Sequence, residues 1–393
     1  MSATARPLRW PLPTLLILGL AGASACGGTP PESSGAAHPP AEQTDGDQGD
    51  DAQAKHDEDG DLVLDADPEP VVEVDPWGPV TPEQRAKMLA GEEEERITTP
   101  EHYVKTNERR HDVWFPYIAD KRGIYVGVAA DQNYTLIATA KSEYVFLMDL
   151  DWRITELHRA YEVLIEASED PKTLHERFFS KNEASSVALI EAALQDQVSP
   201  EQLRQILISW RSARETVYLH LQNVIARKQD GVTTSWLSNP DYYAHIRKLY
   251  QNDRVRMLVG NLTGPNTLQT IAAAADELGL PVQVLYLSNA EEYYDYTSQY
   301  RANIKALPTS EGSVVLRTIY NKDWVHADAL WNYQVQPLRD YQARLEDSKN
   351  TRRNRMLSSA DAERVLERNL ATVNGLSRVN IGILEGWSEG SAP

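Results

Sequence analysis

The chain predicts an α/β fold with a mostly parallel sheet, and three observations carry that prediction. Apolar runs of strand length alternate with segments of helical period from residue 123 to residue 336, the pattern of successive strand–helix–strand units. The stretch GIYVGVAADQNYTLIATAKSEYVFLMDLD, residues 123–151, sets two such strands around a polar loop and a short helix, and its second strand ends in acids. Between residues 171 and 252 the strand signal gives way to helical spacing and then returns, which marks a helical insertion.

An export signal comes first, over 1–25. Arg6 and Arg9 precede the apolar run 15–21, and small residues follow; that layout is a signal peptide, too short for a comfortable membrane span. Cys26 is the only cysteine, so no internal disulfide forms. It directly follows Ala23-Ser24-Ala25 and resembles the lipidated cysteine of a bacterial lipobox, with Ala23 where leucine is usual; ordinary cleavage near Ala25 is the alternative. The resemblance implies an exported lipoprotein held in the membrane through Cys26. Gly27 follows with no aspartate, so it also implies the outer membrane of a Gram-negative cell. Each buried acyl methylene contributes ~0.8 kcal/mol to such an anchor.

Residues 26–96 read as a disordered acidic tether. They carry a net charge of −16 out of −19 for the whole chain, so the acidity says little about the globular part. Few apolar side chains between 27 and 75 are available to bury, which predicts disorder there. A flexible coil of about 70 residues spans roughly 45 Å. DGDQGDD and DEDGD look like calcium loops, yet no glutamate stands at the spacing an EF-hand needs, so no metal site is expected. Thr81-Pro82-Glu83-Gln84 is a capping box with proline at the first helical position, predicting a short helix near 82–95.

The globular domain is expected over 97–385, with a flexible tail at 386–393. Trp114, Phe115 and Pro116 lead into a strand at 123–128, a loop at 129–134, a helix, and a strand at 144–150; this succession is how a Rossmann-like sheet begins. Ile154, Leu157, Ala160, Tyr161, Leu164 and Ile165 then recur at helical spacing. Within the insertion, 171–252, Ser199-Pro200-Glu201-Gln202 is a second capping box, and the apolar positions behind it keep a 3–4 spacing through about seven turns. Asn239-Pro240 opens a further helix. Strands follow at 255–262, 282–287, 313–319 and 331–336, the last two close enough to pair, with helices at 267–278, 295–306 and 358–373.

Ligands of open α/β sheets bind beyond the carboxyl ends of the strands. Those ends bring Asp131, Gln132 and Asn133; Asp149 and Asp151; Asn261 and Thr263; and Ser288, Asn289 and Glu291. Together they predict a crevice for a small polar ligand. Asn133 also reads as a helix cap and Asp149 as a charge favourable to a helix start.

Over roughly residues 100–340 the arrangement resembles class I S-adenosylmethionine-dependent methyltransferases. That resemblance implies S-adenosylmethionine as cofactor, with Gly127 and Ala129 in the glycine loop, Asp149 or Asp151 as the ribose acid, and Asn261-Leu262-Thr263-Gly264-Pro265 as the polar segment. The chain departs from the family in keeping a single glycine in the loop, in Tyr125 where an acid is usual, and in lacking the N/D-P-P-Y/F signature. The GVAADQN…SEYVFLMDLD pattern is also similar to that of an exported bacterial lipoprotein family, which implies an address and no activity.

Other chemistries find no support. The chain has no Walker loop, no G-x-S-x-G and no H-E-x-x-H. Its histidines are scattered, and His158 and His175 fall on predicted helices as packing residues. Tyr293, Tyr294, Tyr296, Tyr300, Trp331 and Tyr333 fit an aromatic core or a stacking surface. Basic residues are dispersed, so no nucleic-acid partner is expected. The expectation is a tethered lipoprotein whose crevice binds a small polar ligand. An active methyltransferase and a structural envelope protein are the alternatives.

Overall fold

The computed structural model describes residues 75–100, 102–358, 366–369 and 375–379. The expected signal peptide, Cys26, the expected tether before residue 75 and the expected 386–393 tail lie outside the described residues. No helix among the described residues is long and apolar enough to cross a membrane.

Helix α1 (Pro82–Leu89) opens on the expected capping box, with Thr81 and Gln84 exchanging side chain-to-backbone bonds. It ends at Leu89 rather than near residue 95, because Gly91 turns the chain at φ +86°. The acidic run beyond it is folded against the domain: Glu94 N–H donates to Val259 C=O at 3.1 Å, and Ile97 bridges to Asp151. Residues 92–96 therefore cover a sheet edge instead of ending the tether.

The chain continues through α2 (Phe115–Ile118), β1 (Ile124–Val128), α3 (Gln132–Ala140), β2 (Tyr144–Asp149) and α4 (Trp152–Glu166). The insertion is α5 (Pro171–Arg177), α6 (Glu183–Leu194), α7 (Pro200–Ile225), the small hairpin β3 (Lys228–Gln229) and β4 (Val232–Thr233), and α8 (Pro240–Gln251). Both central residues of that hairpin, Asp230 and Gly231, have positive φ, as a two-residue hairpin turn of the favoured hand requires. Then follow β5 (Val255–Val259), α9 (Thr267–Leu278), β6 (Val282–Ser288), α10 (Ser298–Ala306), β7 (Val314–Ile319), β8 (Asn332–Pro337), α11 (Leu338–Glu346), α12 (Arg353–Ser358), β9 (Leu366–Asn369) and β10 (Leu376–Val379).

Eight strands form the main sheet in the order β5-β2-β1-β6-β7-β8-β10-β9. The first five are parallel; β8 runs antiparallel to β7, β10 parallel to β8, and β9 antiparallel to β10. This is the expected Rossmann-like α/β fold, extended at one side by a strand pair the sequence does not announce as such. The helix expected at 358–373 is contradicted: Leu366–Asn369 is a strand paired with β10. The chain enters β10 through Gly375, which sits at φ +89°, a conformation glycine adopts without steric cost.

Strands β1, β2, β5, β6 and β7 divide their side chains between two cores. Tyr125, Val145, Leu147, Met257, Val284 and Leu316 pack against α3, α4 and the insertion. Val126, Phe146, Met148, Leu258, Leu285 and Val315 pack against α1, α9, α10 and α11. A parallel sheet buried on both faces explains why these strands read as unbroken apolar runs rather than alternating ones. The chain leaves β1 toward β2 and β5, then crosses to β6 on the other side of β1, so the order reverses between β1 and β6. The turns after these two strands lead to opposite faces, since α3 packs in one core and the segment beyond β6 in the other. That divergence is a topological switch point.

Candidate functional site

The parallel pairing puts the carboxyl ends of β5, β2, β1, β6 and β7 on one edge, so the predicted polar turns do share a rim. The turn after β1 is held by its own side chains. Asn133 is buried, donates from Nδ2 to Val128 O (2.8 Å) and Ala130 O (2.7 Å), and accepts from Tyr125 Oη at 2.8 Å. Gly127 makes room for this: a Cβ there would stand 2.0 Å from Asn133 Oδ1 and 2.6 Å from the Tyr125 ring.

Ala129, next in that turn, takes a left-handed conformation at φ +68°, a strained choice for a residue with a Cβ. Its carbonyl accepts from His158 Nε2 at 2.8 Å. Burial pushes His158 down to about 4, so its ring is neutral at ordinary pH. With Nε2 donating, Nδ1 accepts from Tyr134 Oη at 2.7 Å, and Tyr134 in turn accepts from Tyr250 Oη at 2.8 Å. The packing role expected for His158 is the one it has.

Asp149 ends β2 and stays partly exposed. Burial of its carboxyl lifts its pKa to about 7, against the N–H bonds from Asp151, Ala129 and Leu150 and with the Asp151 charge adding to the rise. At neutral pH this group therefore both offers and accepts protons. Asp151 is committed to local bonds: it caps α4 and accepts from Thr99 N and Oγ1 at 2.9 and 2.8 Å. Burial works against its charge, but the Arg153 and Thr99 bonds hold it at about 2.

Several other predicted residues are committed inward. Asp131, 1% exposed, accepts from His220 Nε2 at 2.9 Å and Trp236 Nε1 at 3.2 Å. Burial raises its carboxyl, yet the His220 ring and the two donors hold it below the ordinary carboxylate range. It thus fastens α7 to the start of α3 and does not face a ligand. Gln132 is buried with its Nε2 on Tyr286 Oη at 3.4 Å. Glu291 lies in a buried ion pair with Arg317 (3.4 Å) and accepts from Tyr341 Oη at 2.7 Å and from Tyr296. In the turn after β5, Asn261 Oδ1 accepts from Thr263 N and Oγ1 at 2.9 and 2.8 Å. The amino end of α9 beside them is filled by Glu94, whose Oε1 accepts from Asn266 N (2.8 Å) and Thr267 N (3.1 Å).

Ala129, Asp149, Ser288 and Asn289 remain at the ends of the adjacent strands β2, β1 and β6. Ser288 closes β6 in a left-handed conformation, φ +50°, where the pairing register with β7 shifts. Its Oγ donates to Glu108 Oε1 at 2.7 Å. Asn289, partly exposed, donates to Glu292 Oε2 at 3.2 Å. Ala129 and Asp149 stand on one side of the switch, Ser288 and Asn289 on the other.

Glu108 is the residue that sequence reasoning missed. It is 1% exposed, and its carboxylate also accepts from Thr318 Oγ1 (2.8 Å), Tyr286 Oη (2.8 Å) and His111 Nε2 (3.1 Å). Nothing in the polar run before Trp114 distinguishes it from a solvated acid. Glu94 was hidden for the same reason, inside an acidic run. Among the described residues no group of His, Cys, Asp and Glu is placed to hold a metal.

The model of a family described as "Domain of unknown function (DUF7790)" matches residues 103–380, most of the chain, and the chain belongs to that family. Comparison with the curated proteins finds no match.

Proposed function

We propose that this member of the DUF7790 family is an exported, lipid-anchored protein that binds a small polar ligand in the crevice between β1 and β6. One observation carries the proposal. At the switch point the residue after β1, Ala129, and the last residue of β6, Ser288, are non-glycine residues at positive φ, and backbone strain of this kind concentrates at ligand-binding sites. Asp149 and Asn289, both partly exposed, supply a titrating carboxyl and an amide at the same rim. Anchoring through Cys26 rests on the lipobox-like sequence alone.

The experiment is a thermal-shift screen of the full chain against polar metabolites. The proposal expects at least one compound to raise the melting temperature and Asn289→Ala to abolish that rise. A broad screen with no shift favours a structural envelope protein instead.

A methyltransferase is the second reading, favoured by Asp149 at the end of β2 beside the turn after β1. It expects S-adenosylhomocysteine to bind and Asp149→Ala to weaken it; no binding at millimolar ligand ends it. The space above Gly127, filled by Tyr125 and Asn133, and the export signal both weigh against it, because a cytosolic methyl donor is not expected beyond the inner membrane.

A further inference from the structure

We infer that Ser288 is a nucleophile and Glu108 its general base, so that the switch-point crevice cleaves small carboxylic esters by acyl transfer. This goes beyond ligand binding but rests on the same crevice. A serine hydroxyl becomes a useful nucleophile when a base within hydrogen-bond reach takes its proton and the backbone presents the oxygen outward. Ser288 Oγ stands 2.7 Å from Glu108 Oε1. It does so from a left-handed backbone at the end of a strand next to the switch point. A sharp, strained strand exit is how a hydrolytic serine is commonly raised above a parallel sheet, and here the chain achieves it at Leu287-Ser288-Asn289 without flanking glycines. Ser288 keeps part of its surface in solvent while Glu108 is buried, the division of access that a nucleophile and its base require.

Three positioning residues hold Glu108 in place: Thr318, Tyr286 and His111. They come from β7, β6 and the segment before α2, so the carboxylate is fixed from more than one element. For the oxyanion, the same rim offers the backbone N–H of Asn289, the residue that follows the nucleophile.

The steps balance with water as the only co-reactant. Ser288 Oγ bonds to the acyl carbon as its proton passes to Glu108. The tetrahedral oxyanion then collapses, breaking the bond to the alcohol oxygen, and the departing alcohol takes the proton from Glu108. Water attacks the acyl-serine, giving its proton to Glu108. On collapse the carboxylic acid leaves and Ser288 regains its hydrogen.

The test is phosphonylation of the purified full chain by an alkyl fluorophosphonate, read by intact mass and peptide mapping. The inference predicts a single adduct on Ser288 and none in Ser288→Ala. It also predicts a labelling rate about 10²-fold lower in Glu108→Gln, the low end of what a positioned base contributes. Ser288→Ala leaves Glu108 its bonds from Thr318, Tyr286 and His111, so its circular dichroism should match the parent even if Glu108→Gln loosens the fold. Absence of an adduct in the parent chain, or an adduct that persists in Ser288→Ala, overturns the inference. If a metabolite still shifts the melting temperature when no adduct forms, ligand binding stands and only the nucleophile falls. If neither is seen, both fall.

Discussion

Replacing Asp149 with asparagine should change how stability depends on pH more than it changes stability itself. In the native state the carboxyl titrates at about 7, up from 3.8, because burial penalises its charge. Between those values the folded protein holds a proton that the unfolded chain has released. Stability is therefore lost as pH rises through this window and does not return above it. A shift of about 3 units corresponds to about 4 kcal/mol. Asp149 keeps part of its surface in water, so solvent screening reduces the expected figure to about 2 kcal/mol. Asparagine has the shape of the protonated acid and cannot ionise. Urea unfolding of both proteins at several pH values should show the variant gaining about 2 kcal/mol on the parent between pH 4 and pH 8, with most of the gain before pH 7. A difference that stays flat over that range would mean the carboxyl is not desolvated, and with it the shared donor–acceptor role of Asp149 would go.

Other consequences follow from the packing and from the proposed lipid anchor. Arg317→Met strands the buried Glu291 carboxylate and should destabilise by about 3–5 kcal/mol in urea melts; adding Glu291→Gln should recover part of that loss. Gly127→Ala drives a Cβ to 2.0 Å from Asn133 Oδ1, so it should lower stability by about 1–3 kcal/mol and disturb the turn at Ala129; an unchanged unfolding midpoint would show that the Asn133 clasp is loose. Metabolic labelling with palmitate should mark the parent chain and spare Cys26→Ser, and label surviving in the variant would remove the lipid anchor.

The strands were legible because burial on both faces leaves continuous apolar runs: the stretch expected at 144–150 is Tyr144–Asp149, and that at 313–319 is Val314–Ile319. Caps were legible because they are local. Ser199 and Gln202 meet three residues apart, and the helix behind them runs through Pro200–Ile225. The shared rim was legible too, since it follows from parallel pairing.

Side-chain direction was not. Asp131 finds His220 across 89 residues and Trp236 across 105, and Ser288 finds Glu108 across 180; no spacing rule reaches that far. The same holds for Glu94, whose place at the start of α9 depends on Gly264 leaving room for it. At residues 366–369 a strand forms where helical spacing is good, because pairing with Leu376–Val379 outweighs local preference.

The most direct measurement is hydrogen–deuterium exchange with and without whichever metabolite raises the melting temperature. If the crevice between β1 and β6 is the binding site, protection will concentrate in peptides covering residues 127–134 and 286–293 and be absent from the insertion around residues 183–194. Protection confined to the insertion, or spread evenly over the domain, would place the ligand elsewhere and contradict the account.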